Sequence, residues 1–203
     1  MDLWVDDLAE LMDVLQIPRA HIVGTSVGGV LALKFAAKHP NKTISCVADV
    51  PIARLDAMRK LMFASWRKIA QLVDVSELLA DVVITDNVGA RFLGSGSESV
   101  CKSILELLSG ISVETVVRVC REMENLDITA DLGRIRAPTL VMGTEGDVVS
   151  PLQTAESGVG GRKVAQMIPG VKLKIWEGIG HADMIEIPEK SVAFVIEFLK
   201  SVS

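Results

Sequence analysis

At 203 residues, 49% of them hydrophobic and 23% charged, the chain suits one packed domain with a modest insertion and stays polar enough for solution. A net charge of −5 without any basic stripe argues against nucleic acid, and 4% aromatics with no tyrosine leaves little for base stacking. Three widely spaced cysteines (Cys46, Cys101, Cys120) fit a reducing compartment, the acidic start is not a signal peptide, and no apolar run reaches the roughly 18–20 residues of a membrane span, so a soluble cytoplasmic protein is expected.

In chain order, Leu3, Trp4, Leu8, Leu11, Met12 and Leu15 recur at helical spacing over 3–15, and Gln16-Ile17-Pro18 ends that helix. Residues 21–25 read as a short buried strand. A small-residue helix over about 28–38 follows and stops at His39-Pro40, and a second strand covers 44–49. From 52 to 135 the character changes. Leu55, Met58, Met62, Trp66 and Ile69 mark one helical face, Val75–Ile84 continues it, and Gly94-Ser95-Gly96-Ser97 breaks the run before helices at 100–108 and 113–123. Strand character returns at 138–143 and 171–176. Helices are predicted at 151–167 and, with proline in its first turn, from Pro188 to about Ser201. Strands alternating with helices predict a mostly parallel sheet covered on both faces, and the helical block predicts a lid over one end of it. The expected divisions are 1–51, a helical lid over 52–135, and 136–203.

The chemistry gathers at predicted strand ends. Gly24-Thr25-Ser26-Val27-Gly28 is a G-x-S-x-G run between a strand and a helix, the setting of a nucleophile elbow, in which Gly24 and Gly28 are expected to let the chain turn sharply. Serine needs a base to become nucleophilic. Of three histidines, His21 has no activating neighbour, His39 sits in a helix-ending His-Pro, and His181 follows the 171–176 strand, where open α/β sheets carry their sites. Asp147, beyond the 138–143 strand, is the acid expected to orient His181; Glu145 and Asp49 are its rivals, and Asp183 is expected to bond within the histidine loop.

With Ser26, Asp147 and His181 in that order, the chain resembles the α/β-hydrolase superfamily. The likeness is carried by Gly24-Thr25-Ser26-Val27-Gly28-Gly29, by Pro138 to Asp147 with Pro151 after it, and by Gly180-His181-Ala182-Asp183-Met184-Ile185-Glu186-Ile187-Pro188-Glu189. Within the superfamily, the pattern from Asp127 to Pro138 and the small elbow are similar to the 3-oxoadipate enol-lactonase type, and also fit carboxylesterases and carbon–carbon bond hydrolases. Haloalkane dehalogenases and epoxide hydrolases fit less well, because they use aspartate where this chain has Ser26.

The resemblance implies a serine hydrolase of a small ester, lactone or thioester. Its oxyanion would be held by the backbone N–H of Val27. Trp66, Met62 and Met58, which share one helical face with Leu55 and Ile69, are the candidates to line an acyl pocket, with packing of the lid onto the core as the alternative. The sequence carries no Cys–His metal spacing, phosphate-binding glycine loop or dinucleotide fingerprint, so no cofactor and no metal are expected. A second oxyanion donor in this fold comes from a loop after an earlier strand, yet the 25 residues before Ser26 hold only one helix, a turn and the elbow strand. The sequence therefore reads as the C-terminal part of the fold, truncated at the front, with strand 21–25 an apolar edge open to a homo-oligomer or a complementing N-terminal segment. Losing one donor would cost about 10²–10³ in rate, which leaves a catalytically weak binding or receptor module as the competing expectation.

Overall fold

The computed structural model describes residues 1–73, 77–95, 102–103, 105–106 and 110–202. Helix α1 (Asp2–Val14) leads into β1 (Ala20–Thr25), α2 (Val27–Lys38) and β2 (Thr43–Asp49). The segment before the next strand holds α3 (Ala57–Val73), α4 (Glu77–Asn87), α5 (Ala90–Leu93), α6 (Val113–Glu124) and α7 (Thr129–Leu132). Then come β3 (Thr139–Thr144), α8 (Gly161–Met167), β4 (Lys172–Trp176), α9 (Asp183–Glu186) and α10 (Pro188–Ser201).

The strands form one parallel sheet in the order β1-β2-β3-β4. Helices cover both faces, as parallel sheets require. On one face α2 lies over β1 and β2, and its small Ala32, Ala36 and Ala37 join Cys46 and Ala48 of β2 in one buried core. On the other face, Val195 and Phe198 of α10 pack on Val47, Leu140 and Met142. All six residues of β3 are buried, the mark of an inner strand, whereas every residue of β4 is at least partly exposed. Among the described residues β1 pairs only with β2, and its Val23 is 45% exposed.

The helical segment is stitched shut where it leaves and rejoins the sheet. Ala53 accepts from the Ile128 N–H at 3.0 Å, and the Arg54 guanidinium meets Asp127 at 3.3 Å. Asp56 anchors the start of α3 by accepting from the Arg59 N–H at 2.9 Å, and it also takes the Ala155 N–H at 3.2 Å. Burial pushes the Asp56 carboxyl up, but these N–H bonds and the Arg59 guanidinium outweigh it and hold the group below its ordinary range.

Two expectations change. The predicted helix over 151–167 is helical only at Gly161–Met167. Residues before it are drawn into a tether instead: Val159 exchanges backbone bonds with Ala53 and Arg54 at 2.9 Å, and a Cβ on Gly160 would lie 2.2 Å from the Pro151 carbonyl. Backbone groups committed to a distant segment cannot also make a helix. The second change is that the run through 84 is two helices rather than one: the Trp66 indole N–H of α3 meets Asp86 of α4 at 3.1 Å, and one straight helix would hold these positions about 30 Å apart. Gly96, Ser97, Cys101 and most of the predicted 100–108 helix lie outside the described residues. Among the described residues, no helix is long and apolar enough to cross a membrane.

Candidate active site

Ser26 closes β1 and opens α2, with φ 57° and ψ −120°. A non-glycine residue there is strained by on the order of 1–3 kcal/mol, and such strain persists only where the surroundings over-determine it. Here they do. The Ser26 N–H donates to the Asp49 carbonyl at 2.9 Å, and its carbonyl accepts from the Val30 N–H at 3.1 Å. The glycine requirement is shifted from the expected pair. A Cβ on Gly24 would lie 2.1 Å from the Gly28 carbonyl oxygen, and one on Gly29 would lie 2.7 Å from the Asp49 carbonyl oxygen. At Gly28 a Cβ would meet nothing within 4 Å. Close packing of α2 onto the ends of β1 and β2 therefore needs Gly24 and Gly29, whereas Gly28 has room to spare.

The three predicted residues meet. Ser26 Oγ lies 2.8 Å from His181 Nε2, and His181 Nδ1 lies 2.8 Å from Asp147 Oδ2. His181 is 3% exposed and Asp147 4%. The second carboxylate oxygen of Asp147 accepts from the Val149 and Ser150 N–H groups at 2.8 and 2.7 Å. A carboxylate so held is an acceptor for an imidazole Nδ1–H, which leaves Nε2 free to accept from the serine hydroxyl. The Val27 N–H is the first of α2 and has no partner within the helix; it sits beside Ser26 at the positive end of the helix dipole.

The rival acids take other places. Glu145 is exposed, at the start of the turn that carries Asp147. Asp49 is wholly buried under the elbow, and neither of its carboxylate oxygens is hydrogen-bonded in good geometry. Burial first, and then the neighbouring Asp183 carboxyl, push its pKa up to about 8. Asp183 accepts a short bond from the Ser191 hydroxyl, within the histidine loop and the helix after it. The other histidines are engaged elsewhere: His21 Nδ1 lies 2.7 Å from the Ser45 hydroxyl, and His39 packs on Phe35 at the end of α2.

A cavity of about 230 Å³ opens from Ser26 and Val27 into the helical segment. Its walls are mostly apolar: Phe63 and Trp66 of α3, Leu79 and Val83 of α4, Val116 and Val119 of α6. Asn87, Thr115 and Cys120 are its polar exceptions beside Ser26. Of the three predicted substrate-facing residues, Trp66 lines this cavity, with its indole N–H held by Asp86 at 3.1 Å. Met62 packs against the core instead. Met58 is 66% exposed, because it falls on the outer side of α3, and it is not a wall of the cavity. Cys120 is a second nucleophile-type group in the cavity, but burial, followed by nearby Glu124, pushes its thiol up to about 11, so it is a thiol rather than a thiolate near neutral pH.

Residues 1–188 match the model of the Hydrolase_4 family, described as serine aminopeptidase, S33. The chain belongs to this family. It is an α/β-hydrolase, and relatives of the family named as hydrolases are similar to it over most of its length. One is "Putative carbamate hydrolase RutD" of Caulobacter sp. (strain K31), 29% identical over 198 residues, a match covering 96% of this chain and 70% of that protein. Another is 3-oxoadipate enol-lactonase 1 of Acinetobacter baylyi, 22% identical over 201 residues, covering 97% of this chain and 70% of that protein. In fold, the chain is similar to the crystal structure of the enol-lactonase from Burkholderia xenovorans LB400. That match has a TM-score of 0.87 at 23% identity and covers 98% of this chain and 72% of that one.

Three features of this hydrolase site were not foreseen from sequence: the walls supplied by α4 and α6, the thiol of Cys120, and the carboxylate of Glu186. The α4 and α6 residues stand at helical spacing and could have been found as faces, but nothing local says which face meets Ser26. Glu186 bonds the Gly89 and Gly180 N–H groups at 2.8 and 2.9 Å. Its only local signal was its place before Ile187-Pro188, five residues after His181.

Proposed function

We propose that this hydrolase cleaves a small, uncharged ester, lactone or thioester through an acyl-enzyme on Ser26. The observation that carries the reading is the continuous hydrogen-bonded chain from Ser26 through His181 to Asp147, at the mouth of an apolar cavity. In this reading His181 Nε2 takes the hydroxyl proton as Ser26 Oγ attacks the carbonyl carbon. Asp147 stabilises the imidazolium without accepting its proton. The Val27 N–H donates to the oxyanion that forms. His181 returns the proton to the leaving oxygen or sulfur, then removes one from the water that releases the acid. Residues 52–135 act as a cap whose α3, α4 and α6 enclose the acyl group.

The preference for an uncharged substrate follows from the walls. None of the described cavity residues is charged, and the residues outside the described set include no lysine, arginine or histidine. A carboxylate entering this space would be desolvated without a cation to meet it, at a cost of several kcal/mol. The name 3-oxoadipate enol-lactonase denotes action on a carboxylate-bearing lactone; the cavity here favours a neutral compound of similar size.

A fluorophosphonate probe tests the chemistry and paired p-nitrophenyl esters test the selectivity. Labelling and turnover are expected to vanish in Ser26→Ala and to fall by about 10³-fold or more in His181→Ala. The butyrate ester should exceed the glutarate half-ester in kcat/KM by at least about 10-fold. Labelling that persists in Ser26→Ala would sink the nucleophile, and equal rates on the two esters would sink the substrate class.

A further inference from the structure

His181 lies in a loop held from two sides. On one side the acid turn reaches it: the Gly146 N–H donates to the Ile179 carbonyl at 2.9 Å. On the other side the corner between α4 and α5 reaches it: the Ala182 N–H donates to the Asn87 backbone carbonyl at 2.8 Å. Glu186 completes the second side. Its Oε1 accepts from the Gly180 N–H at 2.9 Å and, across the gap, from the Gly89 N–H at 2.8 Å. Both residues flanking His181 are thus fixed to residues 87–89 of the helical segment, one directly and one through a single carboxylate oxygen.

The contact is closely built. A Cβ on Gly180 would lie 2.5 Å from the Gly89 nitrogen and 2.7 Å from Glu186 Oε1. A Cβ on Gly89 would lie 2.9 Å from Glu186 Oε2. Two glycines face each other beside the carboxylate; a side chain at Gly180 would collide with the backbone of the corner, and one at Gly89 would press on the carboxylate itself. The acceptor is half-buried, and as a carboxylate it makes stronger bonds to N–H groups than a neutral oxygen would.

We propose that Glu186 is a positioning residue: it staples the α4–α5 corner to the histidine loop and so keeps the His181 imidazole in line between Ser26 and Asp147. This rests on the serine-hydrolase reading above. It makes the helical segment part of the catalytic geometry as well as the wall of the cavity. A corner displaced by the substrate or by substitution carries Gly180 and Ala182 with it, and the Nε2–Oγ distance changes.

Glu186→Ala, Glu186→Gln and the parent protein provide the test, below the unfolding temperature of each. In the alanine variant kcat on p-nitrophenyl butyrate and the fluorophosphonate labelling rate should fall about 10–100-fold, with KM changed little, because misplacement of a reacting group by about 1 Å has that order of cost. The pH midpoint of labelling, which tracks His181, should move. The glutamine variant keeps an amide oxygen able to accept both N–H groups and should recover most of the rate. Glu186→Asp, one methylene too short for both bonds, replaces the alanine variant if that one does not fold. The His181 imidazole resonances, titrated by NMR, read its position whether or not turnover occurs. Parent-like rates, labelling midpoint and His181 titration in Glu186→Ala, with only a lowered Tm, would overturn the proposal. Failure of the parent to label at Ser26 would overturn the hydrolase reading alone, and the His181 resonances would still decide the role of Glu186.

Discussion

The turn that presents Ser26 is held by the sheet beneath it, whereas the loop that presents His181 is held in part by helices above it. At the elbow the backbone restraints described above come from the core. Asp49 of β2 takes the Ser26 N–H, and Gly24 and Gly29 let α2 sit on the strand ends. At the histidine loop, restraint is divided between the acid turn and residues 87–89 of the α4–α5 corner. The elbow's strain is thus supported by the most buried part of the molecule, where packing is least compliant. The histidine is supported by a segment that also encloses the cavity. Ser26 geometry should therefore resist changes in the helical segment, and His181 geometry should follow them.

Substitutions in the two regions can break or sharpen this contrast. Trp66→Ala removes a 9% exposed indole that packs edge-on against Phe63 with centroids 5.0 Å apart, and should destabilise by about 3–5 kcal/mol in denaturant unfolding. It should also raise KM, because Trp66 lines the cavity. Lost stability with unchanged kinetics would assign it to packing alone. Gly24→Ala forces a backbone clash under the elbow and should cost about 3 kcal/mol and most of the labelling at Ser26.

Asp49→Asn acts on the same elbow through charge. Folding raises the Asp49 carboxyl from 3.8 to about 8, with Asp183, Asp147 and Thr25 as the groups facing it. The folded chain binds this proton more tightly than the unfolded chain, so the contribution to stability falls as pH rises from about 4 to about 8. The asparagine variant lacks that slope. It should gain at least about 1 kcal/mol, read as roughly 2–4 °C in Tm, with the gain widening from pH 6 to pH 8. A pH-independent difference would remove Asp49 from this account. Gly28→Ala should be the smallest effect, within about 1 kcal/mol and without loss of labelling, since a Cβ there meets nothing.

Much of this was readable in the chain. The starts of α2 and α10, the four strands and the order serine, acid, histidine rest on local periodicity and on chemistry at strand ends, and local patterns survive folding unchanged. Where the reading failed, a distant segment had intervened. The 151–160 stretch has a helix-like composition, but Val159 spends its backbone bonds on Ala53 and Arg54. Met58, Met62 and Trp66 share a helical face in sequence, yet α3 turns only Trp66 of the three to the cavity.

The sequence by itself determined the four strands and most of the helices, the parallel sheet and the three residues of the Ser26–His181–Asp147 chain, because each depends on the period of a single element or the chemistry of a single turn. Only the tertiary structure decided which glycines the elbow requires, which helical faces wall the cavity, and that Glu186 joins the histidine loop to the α4–α5 corner. Apart from the local approach of Gly24 to Gly28, those features are contacts between distant residues, such as Gly89 and Glu186, 97 positions apart. No local pattern encodes such a contact, because the positions of both partners are fixed by the packing of everything between them.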